Sequence, residues 1–288
     1  MTSAFSPTSL AEAHEALGRG AVKVAGTTDL LVIDHATGRQ HDAVLNVLGI
    51  AELRGIRIDA VGLSIGAATT FTQIRQSADV VKHAPMLVEA AATIGAAQIQ
   101  NRATLGGNIA NASPAGDSLP ALLALNAQLI LSGPRGRRTL AYDTFHTDYR
   151  KTALAADELI ERIVLPLPAP TVQIFRKVGT RAAQAISKVV IGFSASRDAI
   201  SSHRLMNVRL AMGSVAATPL RLTAVEALIG SGLVSAALAD DAAQLVERTI
   251  HPIDDVRSTA DYRRHVAGQS VRRLLLDLSL ELTEPSRT

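Results

Sequence analysis

The residues that could do chemistry in this chain lie in two short passages. The longer is Thr104-Leu-Gly-Gly-Asn-Ile-Ala-Asn-Ala-Ser-Pro-Ala-Gly-Asp117. Adjacent glycines at 106 and 107 let the backbone come close to another group and permit positive φ. Asn108, Asn111, Ser113 and Asp117 add short polar side chains, and the amides of such a passage can form a concave nest for phosphate oxygens. The competing reading is a loop whose Asn and Ser side chains satisfy its own backbone. A long stretch without periodicity usually serves a ligand, which tips the choice. The second passage, Val24-Ala-Gly-Thr-Thr-Asp29, ends a short apolar strand and begins a helix. The first amides of a helix are unpaired and favour an anion, although this passage taken alone reads first as a capped turn.

Other chemistries fall away. Gly62-Leu-Ser-Ile-Gly66 satisfies the G-x-S-x-G pattern, but it lies inside a strand instead of at the strand-to-helix turn that a nucleophile elbow needs. There is no cysteine, so disulfides, thiolate-held zinc or iron–sulfur sites and a thiol nucleophile are excluded. The eight histidines are scattered without metal-ligand spacing. A net charge of +3 is no nucleic-acid signature, and Arg135-Gly-Arg-Arg138 reads as a solvated turn between strands. The first ten residues lack a basic and an apolar region, so no signal peptide is expected there. No stretch is apolar for long enough to span a bilayer. The expectation is a cytoplasmic protein.

The elements that must carry these passages can be read in outline. Ser9-Leu-Ala-Glu12 is a capping box before a helix that ends near Gly18. A strand at Ala21–Ala25 leads to a helix at Leu30–His35, capped by Thr28 or Asp29. Strands follow at Val44–Val47 and Gly62–Ala68, and helices start at Thr70 and at Pro85. Gln100 to Asp117 reads as irregular, before a helix at Leu119–Leu125 and strands at Ala127–Leu131 and Leu159–Leu165. The proline cluster Pro166-Leu-Pro168-Ala-Pro170 marks a domain boundary. Beyond it come strands at Ile174–Val178, Val189–Arg197 and Val208–Val215, then helices at Pro219–Ile229, Ala236–Glu247 and Asp261–Leu280. Strands followed by helices predict an α+β arrangement.

Together the passages resemble the FAD-binding medium subunits of molybdenum hydroxylases, the family of bacterial xanthine dehydrogenase and carbon monoxide dehydrogenase flavoproteins. Its motifs are A-G-G-T-D-L after a strand, then I-x-N-x-A-T-x-G-G-N-I-x-x-A-S-P-x-x-D. This chain has Ala25-Gly-Thr-Thr-Asp-Leu30 and Ile99-Gln-Asn-Arg-Ala-Thr-Leu-Gly-Gly-Asn-Ile-Ala-Asn-Ala-Ser-Pro-Ala-Gly-Asp117. The likeness continues through Phe175-Arg-Lys177 and Ile186-Ser-Lys-Val189 to Pro252–Arg263, so it covers essentially the whole chain. It implies a two-part FAD-binding domain of the vanillyl-alcohol oxidase type over 1–167, with lobes of about 1–57 and 58–167. A smaller α/β C-terminal domain over 172–282 would follow. It also implies FAD contacts at Val24, Ala25, Gly26, Thr27, Thr28, Asp29 and Leu30, at Ile94 and Gly95, and at Thr104, Gly106, Gly107, Asn108, Ala110 and Ser113. Asp117 would hold the cofactor, and Ile160 and Lys177 would line the flavin.

The resemblance also implies partners in a heterotrimer. A large subunit would hydroxylate substrate at a molybdenum cofactor, and a small subunit would carry electrons through iron–sulfur clusters to the FAD held here, for NAD or another acceptor. No residue of this chain would act as a nucleophile or an acid–base catalyst. Ala51-Glu-Leu-Arg-Gly-Ile56, Gly133-Pro-Arg-Gly136 and Phe145-His-Thr-Asp-Tyr-Arg-Lys151 look most like the xanthine dehydrogenase branch, hence purine hydroxylation. The rival is a free-standing FAD oxidase of the same fold. Two positions depart from the pattern: Thr27 stands for the second glycine of A-G-G-T-D-L, and Gln184 for a frequent Asp.

Overall fold

The computed structural model describes residues 3–198, 201 and 203–283. The chain opens with β1 (Ser3–Phe5), α1 (Leu10–Leu17), β2 (Val22–Val24), α2 (Leu30–Thr37) and β3 (Ala43–Asn46). It continues with β4 (Ile56–Asp59), β5 (Gly62–Gly66), α3 (Phe71–Gln76), α4 (Ala78–His83), α5 (Pro85–Ala92), α6 (Ala97–Gln100) and α7 (Leu105–Asn111). Next come α8 (Ser118–Ala124), β6 (Gln128–Gly133), β7 (Gly136–Ala141), β8 (His146–Asp148), β9 (Lys151–Thr152) and β10 (Leu159–Leu165). The remainder is β11 (Val172–Val178), β12 (Val189–Arg197), β13 (Leu205–Gly213), β14 (Leu220–Arg221), α9 (Thr223–Ser231), α10 (Ala236–Thr249) and α11 (Ala260–Thr283).

Two compact units result: Met1–Ser113 with Asn126–Ala169, and Pro114–Leu125 with Pro170–Thr288. A first domain continuous over 1–167 is therefore interrupted, because α8 packs with the second unit. The carbonyl of Ala124 accepts the buried Ser194 hydroxyl at 2.6 Å, and a β-carbon at Gly192 would lie 2.6 Å from the Pro120 carbonyl oxygen. Sequence periodicity does not reveal such a long-range attachment.

In the first unit a small parallel sheet, in the order β1-β3-β2, packs on α1. The Ser9 hydroxyl accepts the Glu12 amide, as the capping box requires, while Glu12 reaches one residue further back, to the Thr8 amide at 2.8 Å. A second, antiparallel sheet has the order β4-β5-β10-β6-β7. Ser64 of the G-x-S-x-G pattern is buried within β5 and donates to Asp59, so it is a structural serine. Arg137 and Arg138 are not turn residues. They lie on β7, paired with the buried Glu161 and Glu158 at 2.5 and 2.7 Å. The second unit is the antiparallel sheet β11-β12-β13-β14, with α9 to α11 in its main core and α8 packed against β12 and β13. Its expected helix at Pro219 begins later, because Leu220–Arg221 first pairs with β13. Arg263 is buried there and donates to the carbonyls of Lys188 and Ser214 and to Asp255.

Two groups in the first unit have titrations shifted far from their ordinary values. His146 is hydrogen-bonded to the Tyr142 hydroxyl at 2.9 Å, and burial lowers its imidazole to about 4. Unfolded histidine takes up its proton at about pH 6.5, so stability falls as pH drops from there to about 4 and is not lost further below. The Arg138 guanidinium holds Glu158 at about 2, against an ordinary 4.5. That contribution is complete above about pH 4.5 and is lost as pH falls towards 2. Thermal unfolding followed by circular dichroism is expected to weaken in these two stages on acidification. Replacing His146 with Asn should remove the upper one.

Candidate functional site

The two motif passages meet in the first unit. Gly26 ends the turn after β2 and backs directly on residues 102 and 103, where an added β-carbon would lie 2.1 Å from the Arg102 carbonyl oxygen. Only glycine allows that approach. The next residue, Thr27, has φ 60°, the left-handed region, which a β-branched residue rarely adopts. Its hydroxyl donates to the Gly26 carbonyl at 2.8 Å. The strain of a left-handed L-residue is about 1–2 kcal/mol. Thr27→Gly is therefore expected to raise stability by about 1 kcal/mol, the glycine's greater unfolded-state entropy offsetting the rest. A denaturant midpoint that falls would contradict this.

Leu105 to Asn111 is a helix and not the irregular loop its composition predicts. Thr104 caps α7, its hydroxyl accepting the Gly107 amide at 3.1 Å. The amides of Leu105 and Gly106 go to the carbonyls of Thr69 and Ala67, and that of Asn108 to Thr104. The first amides of α7 are thus already engaged, which corrects the expected phosphate nest. Neither Gly106 nor Gly107 has positive φ. Their glycine character serves close approach. At Gly106 a β-carbon would lie 2.6 Å from the Ala67 β-carbon and 2.8 Å from its carbonyl oxygen. At Gly107 it would meet only the Thr104 hydroxyl, at 2.9 Å.

The start of α2 behaves differently. Asp29 is its N-cap, but its carboxylate makes no capping bond. The first bonds of this turn run from Leu31 to Thr27 and from Ile33 to Asp29, so the amides of Thr28, Asp29 and Leu30 are not taken up by them. A helix start with open amides favours an anion.

A cleft of about 350 Å³ lies between these two helix starts. Val24, Ala25, Gly26, Thr27, Thr28, Asp29 and Leu30 line it, with Ile94, Thr104, Gly106, Gly107, Asn108, Ala110 and Ile160. Of the other expected contacts, Gly95 has φ 53° with the Ile99 side chain filling the place of a β-carbon. Ser113 ends the first stretch of this unit. Neither lines the cleft. Asp117 and Lys177 belong to the second unit, as a largely buried ion pair of 2.6 Å. Gln184, in the same unit, is exposed with φ 52°. Sequence reasoning missed the apolar wall of Val47, Leu53, Ala67, Ala68 and Leu159, and also Lys23. Alternation along β2 was the available signal for Lys23, but a strand lysine reads first as solvent-facing. The only ionisable side chains among the described lining residues are Lys23 and Asp29. No group of three His, Asp or Glu able to hold a metal exists among the described residues. No helix among them is long and apolar enough to cross a membrane.

Comparison with known proteins agrees with this architecture. Residues 1–168 match the family model described as FAD binding domain in molybdopterin dehydrogenase, and 174–278 match the CO dehydrogenase flavoprotein C-terminal domain. The chain is 30% identical over 256 residues to the xanthine dehydrogenase FAD-binding subunit of Escherichia coli O157:H7, covering 88% of this chain and 86% of that protein. It is 32% identical over 265 residues to the carbon monoxide dehydrogenase medium chain of Hydrogenophaga pseudoflava, covering 90% and 89%. A solved structure of carbon monoxide dehydrogenase from H. pseudoflava superposes with a TM-score of 0.91 at 30% identity, covering 98% of each chain.

The cleft fits FAD on its own geometry. A β-carbon at Gly107 would stand in otherwise open space at the cleft wall, the open amides at α2 suit an anion, and the remaining wall is apolar enough for a ring. The chain belongs to the FAD-binding subunits of the molybdenum hydroxylases.

Proposed function

We propose that this chain is the electron-transfer subunit of a cytoplasmic, purine-hydroxylating enzyme of the xanthine dehydrogenase kind. A large molybdenum-cofactor subunit and a small iron–sulfur subunit would complete a heterotrimer. The observation that carries the electron-transfer reading is the composition of the cleft. It offers open amides, glycine surfaces and apolar walls, and its only ionisable side chains among the described lining residues are Lys23 and Asp29. When bound, FAD would supply the redox chemistry between the iron–sulfur partner and NAD or another acceptor. The chain's residues bind and orient. The amides of Thr28, Asp29 and Leu30 would hold the pyrophosphate, Gly107 would leave it room, and Leu53, Ala67, Ala68, Leu159 and Ile160 would keep water from the rings. Asp117 and Lys177 keep, within the same proposal, the cofactor roles that the family resemblance implies for them.

The purine assignment rests on the branch markers, of which Leu53, within Ala51–Ile56, and Phe145, within Phe145–Lys151, are buried in the core. Holoenzyme purified through a tag on this chain is expected to contain molybdenum, iron and FAD. Hypoxanthine or xanthine should drive it to reduce NAD. Turnover with carbon monoxide or nicotinate and none with purines would overturn the purine assignment. Purine oxidation by this chain with FAD alone would overturn the electron-transfer reading.

A further inference from the structure

Lys23, the middle residue of β2, lines the cleft but belongs to neither motif. Its ammonium donates to the Ala155 carbonyl at 3.3 Å. The acidic groups that act on it, Asp157 and Glu158, are already paired with Arg135 at 2.9 Å and Arg138 at 2.7 Å. An ammonium has three donors, and the Ala155 carbonyl engages one. Withdrawing a cation from water is costly unless it meets an acceptor. Burial does lower the proton affinity of Lys23, with Asp157 and Glu158 acting in the opposite sense.

The place of this cation in the cleft indicates what it meets. The polar lining at the helix starts, Thr28, Asp29, Gly107 and Asn108, is separate in sequence from the stretch to which Lys23 is fixed. That stretch brings Leu154, Leu159 and Ile160 into the cleft, a wall suited to an aromatic ring. Lys177 differs, since the Asp117 carboxylate within the second unit offsets its charge.

We propose that Lys23 contacts the flavin ring. Its ammonium, fixed by the Ala155 carbonyl, donates to a polar edge atom of the isoalloxazine and favours the reduced, negatively charged ring over the oxidised, neutral one. This rests on the FAD reading above and names a cofactor residue that the motifs do not.

The test uses the purified chain with added FAD, comparing wild type, Lys23→Met and Lys23→Arg by flavin fluorescence titration and dye-coupled redox titration. Lys23→Met is expected to bind FAD at a lower reduction potential. Each tenfold loss of preference for the reduced cofactor appears as about 30 mV for a two-electron couple. Lys23→Arg should retain most of the wild-type potential, and competition by ADP should be unchanged in both variants. Lys23→Gln, which keeps a donor without the charge, makes the same comparison if Lys23→Met fails to fold. An unchanged potential in a fully loaded, charge-free variant overturns the proposal, and so does weakened ADP competition at unchanged potential, which places Lys23 at the pyrophosphate. A wild-type chain that takes up no FAD fails at the first titration, and that result overturns the cofactor reading itself.

Discussion

Gly107→Val is expected to give folded protein with little bound flavin. At this position a β-carbon meets only the Thr104 hydroxyl, the end of a side chain that can rotate away, while the rest of the valine enters the cleft. Losing the Thr104 cap costs about 1 kcal/mol of stability, which a domain of ordinary stability survives. Filling the surface where the pyrophosphate is expected should cost at least about 2.8 kcal/mol of binding, a hundredfold in Kd. Gly106→Val is the contrasting case, because its side chain would collide with the Ala67 backbone that holds α7 in place. Absorbance of the purified proteins after incubation with FAD distinguishes the two. A Gly107→Val protein that remains fully yellow would remove α7 from the cofactor site.

Gly26→Ala is expected to have the largest effect on stability of any single methyl added to the cleft. Its β-carbon would lie 2.1 Å from the Arg102 carbonyl oxygen and 2.6 Å from the carbonyl carbon, both rigid backbone atoms. Relief requires the turn after β2 and the segment before α7 to separate, and these two segments form the cleft. Overpacking on this scale costs about 3 kcal/mol, and flavin should be lost with it. The check is the urea midpoint of the variant. A stability within about 0.5 kcal/mol of wild type would mean that the two motif passages do not touch through Gly26.

Much of this was legible in the sequence. Leu159–Leu165 and Val189–Arg197 form strands with those same bounds, because long β-branched runs have few alternatives. The caps at Ser9 and Thr70 and the proline at the start of α5 mark helix starts through short-range bonds that the sequence spells out. Helix α7 was hidden, since Gly-Gly-Asn is a poor helix former. Its first turn is held by tertiary bonds to Thr69 and Ala67 and by the Thr104 hydroxyl. The motif residues Thr104, Gly106, Gly107 and Asn108 do line the cleft, though not with the free amides their composition suggests. They give close approach and not free amides, and the open amides are those of α2. The attachment of Pro114–Leu125 to the second unit was equally unreadable, because it depends on Gly192 and Ser194, which lie far along the chain. Thr27 was visible as a departure from the motif, but its strain became definite only with φ 60°.

Equilibrium titration of the purified chain with FAD, with ADP and riboflavin as competitors, tests the central claim most directly. The cleft of the first unit should take up one FAD per chain, ADP should compete because it carries the pyrophosphate, and riboflavin should compete far less. The Gly107→Val protein should show no such uptake while unfolding as cooperatively as wild type. Saturable FAD binding that Gly107→Val leaves intact, or no binding by the folded wild-type chain, would contradict the account.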